Sequence, residues 1–257
     1  MEKIKAEKSW VSKTMLRTML LVWCALILIG VLFHQITVVA IICGVFSAIV
    51  LFIFLYFLYA YRQLSPNGGD LQGQVSALLT NKIDKNANGK LLDIGCGSGI
   101  LSVELAIKCP GLNIQGIDYW GSMWGYSKEK CENLAKKYNV ANRIRFERAS
   151  ASSLPFDDET FDIVISNMVF HEVADAKDKR EVIKEALRVL KKDGQFVFQD
   201  LLANKKLYGT RDELVEYVKN LGVKGVSFVK TNEQIAIPSL LNIPMFFGDT
   251  AMLFGKK

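Results

Sequence analysis

Between Thr18 and Tyr61 the sequence has no aspartate, glutamate, lysine or arginine. As one helix that stretch would run for about 66 Å, roughly twice the hydrocarbon thickness of a bilayer, so it reads as two spans. Histidine is nearly missing, with only His34 and His171, and the five cysteines (Cys24, Cys43, Cys96, Cys109, Cys131) include no C-x-x-C pair. That usage offers no zinc site and no disulfide framework, and it fits a reduced compartment. No metal is expected. The formal charge is +6, yet no basic stripe with interleaved aromatics occurs, so nucleic acid is not expected as a partner. Internal repeats and low-complexity tracts are absent as well.

The only polar break in the uncharged stretch is His34-Gln35 with Thr37 nearby, where a hairpin would turn. This places one span near 16–33 and a second near 37–60, giving membrane contact through residues 16–60. Lys3, Lys5, Lys8, Lys13 and Arg17 precede the first span and Arg62 follows the second, while the turn carries no basic residue. The positive-inside rule then puts both ends in the cytoplasm, in a multi-pass protein of a cell or organelle membrane. A cleaved signal peptide is a poor reading, because the apolar region is too long and is interrupted only once. A buried helical pair in a soluble core is the other reading, which the missing charges disfavour. The expected organisation is a basic N-terminus and hairpin over 1–62, a Pro/Gly-containing linker over 63–70, and one soluble domain over 71–257.

What organises that domain is Lys-Leu-Leu-Asp-Ile-Gly-Cys-Gly-Ser-Gly at residues 90–99. Leu91, Leu92 and Ile94 form a short apolar run suited to a strand buried on both faces. Glycines follow at 95, 97 and 99. Ile100, Leu101, Val103, Leu105, Ala106 and Ile107 then recur at helical spacing until Pro110. Strand, glycine turn and helix open a nucleotide-binding α/β unit. The spacing discriminates among ligands: a dinucleotide fingerprint needs a glycine at 100, which is Ile100, and a phosphate loop needs Gly-Lys-Ser/Thr, which does not occur.

The D-x-G-x-G-x-G pattern beginning at Asp93 resembles the first motif of the class I S-adenosylmethionine-dependent methyltransferases. The resemblance runs through residues 70–257. Asn113–Asp118 reads as a second strand ending in an acid, about twenty residues after the glycine loop, where a carboxylate can accept from two ribose hydroxyls. Ser150-Ala-Ser-Ser-Leu-Pro-Phe156 is similar to the family's acidic-Ala-x-x-Leu-Pro-Phe phrase, with Ser150 in place of the acid. Asp158-Glu-Thr-Phe-Asp162 matches D-x-x-F-D before an apolar strand, and Arg188-Val-Leu-Lys-Lys-Asp-Gly194 is similar to the Arg-Val-Leu-Lys-Pro-Gly-Gly turn. By resemblance, Asp93, Gly95 and Gly97 meet the amino-acid end of the cofactor, Asp118 the ribose, and Tyr119 the adenine face. Ser150 or the backbone near Ala151 would meet the adenine amine, and Asn167 would border the cofactor.

His171 and Glu172 follow the carboxyl end of the Phe161–Asn167 strand, where open α/β sheets bind ligands, so they are the general-base candidates. Orienting a loop or capping a helix is the other reading of His171, and many methyl transfers need no base. The aromatic loop Trp120-Gly-Ser-Met-Trp124-Gly-Tyr126 lines a pocket or else plugs a sheet edge. The apolar Ile235–Phe247 segment is either a buried connection or a flap beside the site. The expected fold is α/β: a Rossmann-like, doubly wound, seven-stranded sheet, mostly parallel with an antiparallel final hairpin, after two transmembrane helices. The implied function is transfer of the methyl group of S-adenosylmethionine to a small, lipid-like or membrane-partitioned acceptor. A non-catalytic membrane scaffold keeping the fold is the rival, and Ser150 is its main support.

Overall fold

A computed structural model describes residues 9–121 and 125–257; Lys3, Lys5, Lys8 and Trp124 lie outside the described residues. The chain divides into two compact units, one ending at Gln74 and the other spanning Val75–Lys257.

The first unit is a helical hairpin. Ser12 caps α1 (Lys13–Leu32) by accepting from the Thr14 amide, and a tight turn leads to α2 (Thr37–Leu64). The two helices approach closely at Gly30, where an added Cβ would lie 3.2 Å from that of Cys43. Both are long and apolar enough to cross a membrane, with mean hydropathies of 2.3 and 3.1. Their apolar side chains point outward: Leu21 is 70% exposed and Phe52 74%. A core helix of a soluble protein would bury such residues.

Helix α3 (Leu71–Thr80) leads to β1 (Asn88–Ile94), which is followed by α4 (Ile100–Lys108), β2 (Gly111–Asp118), α5 (Lys128–Lys137) and β3 (Ile144–Arg148). The chain then crosses back to β4 (Phe161–Asn167), α6 (Lys179–Arg188) and β5 (Leu190–Asp200). Two further helices, α7 (Lys205–Tyr208) and α8 (Arg211–Asn220), precede the closing strands β6 (Gly225–Lys230) and β7 (Ala251–Lys256). The sheet order is β3-β2-β1-β4-β5-β7-β6, with β7 antiparallel to both neighbours and the other pairings parallel. This is the expected seven-stranded, doubly wound architecture with an antiparallel final hairpin. Strand order reverses between β1 and β4, and that switch point opens a crevice at the strands' carboxyl ends.

Local chemistry accounts for most boundaries. Ser127 caps α5 through the Lys130 amide, and Thr210 with Glu213 forms a reciprocal capping box on α8. The helix expected to run from Lys177 to Leu190 stops at Arg188, because the Val189 carbonyl accepts from the Thr160 and Phe161 amides and draws the chain into the sheet. In β5, Phe196 and Phe198 are fully buried against Phe170, with the Phe170 and Phe198 rings 5.2 Å apart. Phe170 belongs to a short 3₁₀ turn, Phe170–Glu172, so the core directly fixes the backbone that carries His171.

Candidate active site

Two strands of the sheet end in an aspartate (Asp118 on β2, Asp200 on β5), β1 carries Asp93 one residue before its end, and β4 ends in Asn167. The polar ends of otherwise apolar strands therefore gather along the switch-point crevice.

The glycine loop is tied to β2 by its own backbone, since the Gly95 and Cys96 amides both donate to the Ile117 carbonyl at 2.8 and 2.9 Å. Gly95 has φ +73°, and a Cβ there would fall 2.2 Å from a Val169 methyl, so only glycine fits. Gly97, at φ +54°, differs: a Cβ would meet only the Tyr126 ring, at 3.5 Å. A side chain at Gly97 would therefore reach ordinary contact with the Tyr126 ring, which lies over this part of the loop.

Asp93 is 1% exposed and accepts from the Ser102 hydroxyl at 2.6 Å. Burial pushes its carboxyl up to about 7, with the nearby Asp118 charge adding and the Ser102 bond opposing. Asp118 accepts from the Gly97 amide at 2.8 Å through one oxygen and from the Trp120 amide at 2.6 Å through the other. Two carboxylate oxygens offer about four acceptor sites, so capacity remains for further donors. The Trp120 indole N–H closes the arrangement by donating to the Gly97 carbonyl at 3.0 Å. Tyr119 is well exposed, with the Arg148 guanidinium 4.6 Å from its ring centre. Asn167 donates to the Ser76 hydroxyl at 3.4 Å, while its buried side-chain oxygen has no hydrogen-bond partner among the described residues. An orphaned buried acceptor is suited to a hydrogen-bond donor brought by a ligand.

Ser150 does not stand alone. Its hydroxyl lies 2.8 Å from that of Ser152, and both reach the carboxylate of Asp175, at 3.3 and 2.5 Å. The Ser152 bond, the largest influence, helps hold the Asp175 carboxyl below its usual range. A carboxylate missing at position 150 is therefore present beside it, on the loop that follows the 3₁₀ turn. Ala151 is buried.

His171 and Glu172 are adjacent in the 3₁₀ turn, but the strong partner of His171 is Asp200. Its Nδ1 lies 2.8 Å from Asp200 Oδ1, whereas Nε2 is 3.9 Å from Glu172, whose side chain is 46% exposed. Asp200 is 1% exposed and accepts further from the amides of Val169 (2.9 Å) and Leu201 (2.6 Å) and from the Tyr208 hydroxyl (3.3 Å). Burial alone would lower the His171 pKa; the hydrogen bond and charge of Asp200, with the charge of Glu172, outweigh it and raise it. With Nδ1–H donated to Asp200, the neutral ring presents Nε2 as a proton acceptor. Asp200 is the functional candidate that sequence reasoning missed. The signal was available: an acid closing the buried run Phe196-Val-Phe-Gln-Asp200, like the one closing β2.

The acids Asp93 and Asp118 thus flank the glycine turn at the carboxyl ends of β1 and β2, beside the switch point. Residues 92–198 match the family described as "Methyltransferase domain", in agreement with the motifs in the sequence. Among curated relatives, the uncharacterized methyltransferase YcgJ of Bacillus subtilis is 31% identical over 150 residues, covering 58% of this chain and 54% of that protein. The ubiquinone/menaquinone biosynthesis C-methyltransferase UbiE of Geotalea daltonii is 29% identical over 165 residues, covering 63% and 67%. The chain thus spans about half to two thirds of the length of these relatives. The crystal structure of YcgJ superposes with a TM-score of 0.51 at 19% identity, covering 72% of this chain and 99% of that one, which supports the fold.

Proposed function

We propose that this protein is a membrane-anchored methyltransferase that methylates a small, apolar acceptor drawn from the bilayer. The observation that carries the reading is the row of polar strand ends, with Asp93 and Asp118 on one side of the switch point and Asn167 and the His171–Asp200 pair on the other. Bound S-adenosylmethionine supplies a methyl group already activated on a sulfonium. Asp93 and Asn167 would hold its ammonium, and Asp118 its ribose hydroxyls. Ser150 with Asp175, beside buried Ala151, would meet the adenine amine, and exposed Tyr119 its ring. These residues bind and orient, which is where most of the rate enhancement of such a transfer arises. His171 takes a proton from the acceptor at Nε2, and buried Asp200 orients the ring and stabilises the imidazolium that forms. Glu172 lies too far from the ring to share that role and contributes only its charge.

Two features support a lipid-soluble acceptor. The apolar helices α1 and α2 expose their side chains, as membrane spans do, with basic residues at the outer ends of the hairpin. UbiE, which this chain resembles, is named for ubiquinone and menaquinone biosynthesis. A membrane tether raises the encounter rate with molecules dissolved in lipid but not with free metabolites.

The test is incubation of the purified full-length protein with methyl-labelled S-adenosylmethionine and a total membrane lipid extract. Label should enter the organic phase, and His171→Gln should lose most of that transfer while still binding cofactor by calorimetry. Label confined to water-soluble products would overturn the acceptor class. A folded protein that binds no cofactor would support the second reading, a scaffold that keeps the fold, which Ser150 and the Trp120–Gly97 bond across the loop favour.

A further inference from the structure

The segment between β6 and β7 has an unusual composition for a surface connection. From Gln234 to Gly248 it contains no charged residue. Its shape is fixed at both ends: Leu241 is fully buried and Phe247 is 2% exposed, while between and beside them Leu240, Ile243 and Met245 are 57%, 42% and 59% exposed. A hydrogen-bonded frame maintains this outward display. Asp249 accepts from the Met245 amide at 2.8 Å and from the Asn204 side-chain amide at 2.7 Å, and the Gly248 amide donates to the Ile243 carbonyl at 3.0 Å. Met245 holds φ +60°, a left-handed conformation uncommon for a side-chain-bearing residue. Three large apolar groups are thus held toward solvent by a built turn.

The position of this lip is informative. Ala251 at its end pairs with Asp200, and the Ala203 amide donates to the Asp249 carbonyl at 2.9 Å, so the lip adjoins the strand end that carries the Asp200 carboxylate. In the chain the lip is flanked by Glu233 and Asp249, and the loop that packs against it carries two lysines. Asn204, whose side chain also reaches the Met245 sulfur, is followed by exposed Lys205 and Lys206. Lys205 faces Glu213, and the one acid inside the turn, Asp249, is consumed by its two internal donors.

We propose that the Leu240–Met245 lip is a second membrane contact, seated in the interfacial layer of an anionic bilayer with Lys205 and Lys206 against its headgroups. Exposed apolar groups next to lysines match an interface that is oily below and negative above. The tether favours the same occupant: only Ser65–Asp70 separate α2 from α3, at most about 21 Å of extended chain. The mouth of the acceptor site then opens on lipid, and the acceptor passes from the bilayer to His171 without crossing water. This inference rests on the proposed membrane function and deepens it.

The test uses the full chain reconstituted in vesicles, with an environment-sensitive nitrobenzoxadiazole on Ile243→Cys in a Cys24→Ser background, the remaining cysteines being buried. In vesicles containing phosphatidylglycerol, emission should shift to the blue. Lipid brominated near the headgroup should quench it more than lipid brominated at the chain terminus, because an interfacial contact lies about 5–10 Å into the headgroup boundary. Lys205→Ala and Lys206→Ala should each lower the docked-to-free ratio by about fivefold, an effect that vanishes in neutral phosphatidylcholine. Water-like emission in both vesicle types would overturn the proposal. So would a blue shift that bromolipid leaves untouched, which assigns the lip to a lid over the acceptor, or to a second copy if it grows with protein density. Cofactor binding and hairpin insertion are measured on the same preparation, so failure of the lip is distinguishable from failure of the methyltransferase or membrane reading.

Discussion

At the scale of single residues, Asp93 has the sharpest consequence. Its carboxyl titrates at about 7 because it is buried and near Asp118, whereas an unburied aspartate titrates at 3.8. An ammonium placed beside it favours the carboxylate, so below pH 7 binding must expel a proton. Cofactor affinity should therefore rise as pH increases toward 7 and level off above it. Calorimetry at pH 6 in two buffers of different ionisation enthalpy should register release of nearly one proton per cofactor, falling toward none at pH 8. Asp93→Asn should abolish that release and weaken binding by about 1.5–3 kcal/mol, the range for a hydrogen bond to a charged group. Proton release that survives in Asp93→Asn would place the titrating group elsewhere.

At the scale of elements, one side chain explains why three separate phrases of the sequence occur together. Arg188, in the Arg-Val-Leu-Lys turn, donates to both oxygens of Glu185, to Asp158, and to the carbonyls of Phe156 and Leu154. Its guanidinium thus clamps the Leu-Pro-Phe loop and the start of the D-x-x-F-D phrase onto α6, and Glu185 adds a bond from the Leu154 amide. A planar fork with five donors is needed for this; a lysine has neither the geometry nor the number. Arg188→Lys should lower stability by about 1.5–3 kcal/mol in thermal unfolding of the detergent-solubilised protein, and Glu185→Gln by less. Equal stability of Arg188→Lys and the parent would mean the clamp is ornamental.

The same elements show what could be read from the sequence and what could not. The β1 strand and the glycine turn were legible because each depends on residues adjacent in the chain. Strand order followed from the motif family. The end of α6 was misplaced by two residues because the competing partner of Val189 lies thirty residues away, on the approach to β4. Asp175 and Asp200 were overlooked for a related reason. Their roles depend on Ser150 and His171, which reach them only through long-range packing of the sheet.

At the scale of the whole molecule, the charges flanking the helical hairpin predict which way the chain would face in a bilayer. Helix α2 has 28 residues and is about 42 Å long, more than a hydrocarbon core of roughly 30 Å requires. The surplus falls at its end, where Tyr56, Tyr59, Tyr61 and Arg62 suit the interface, so a membrane-spanning α2 would keep its last turns in the headgroup layer. Lys13 and Arg17 open α1, and the turn that joins the helices, Phe33–Ile36, carries neither lysine nor arginine. For a hairpin that spans, the positive-inside rule predicts both of its termini, and the domain that follows, on the cytoplasmic side. In intact cells or organelles, a membrane-impermeant maleimide should label Gln35→Cys at the turn. It should spare Lys90→Cys on β1 until the membrane is permeabilised. Cys24→Ser is included so that the one exposed native thiol does not contribute. Labelling of Lys90→Cys before permeabilisation would invert the hairpin. Labelling of both positions from the start would mean that α1 and α2 do not span a bilayer at all.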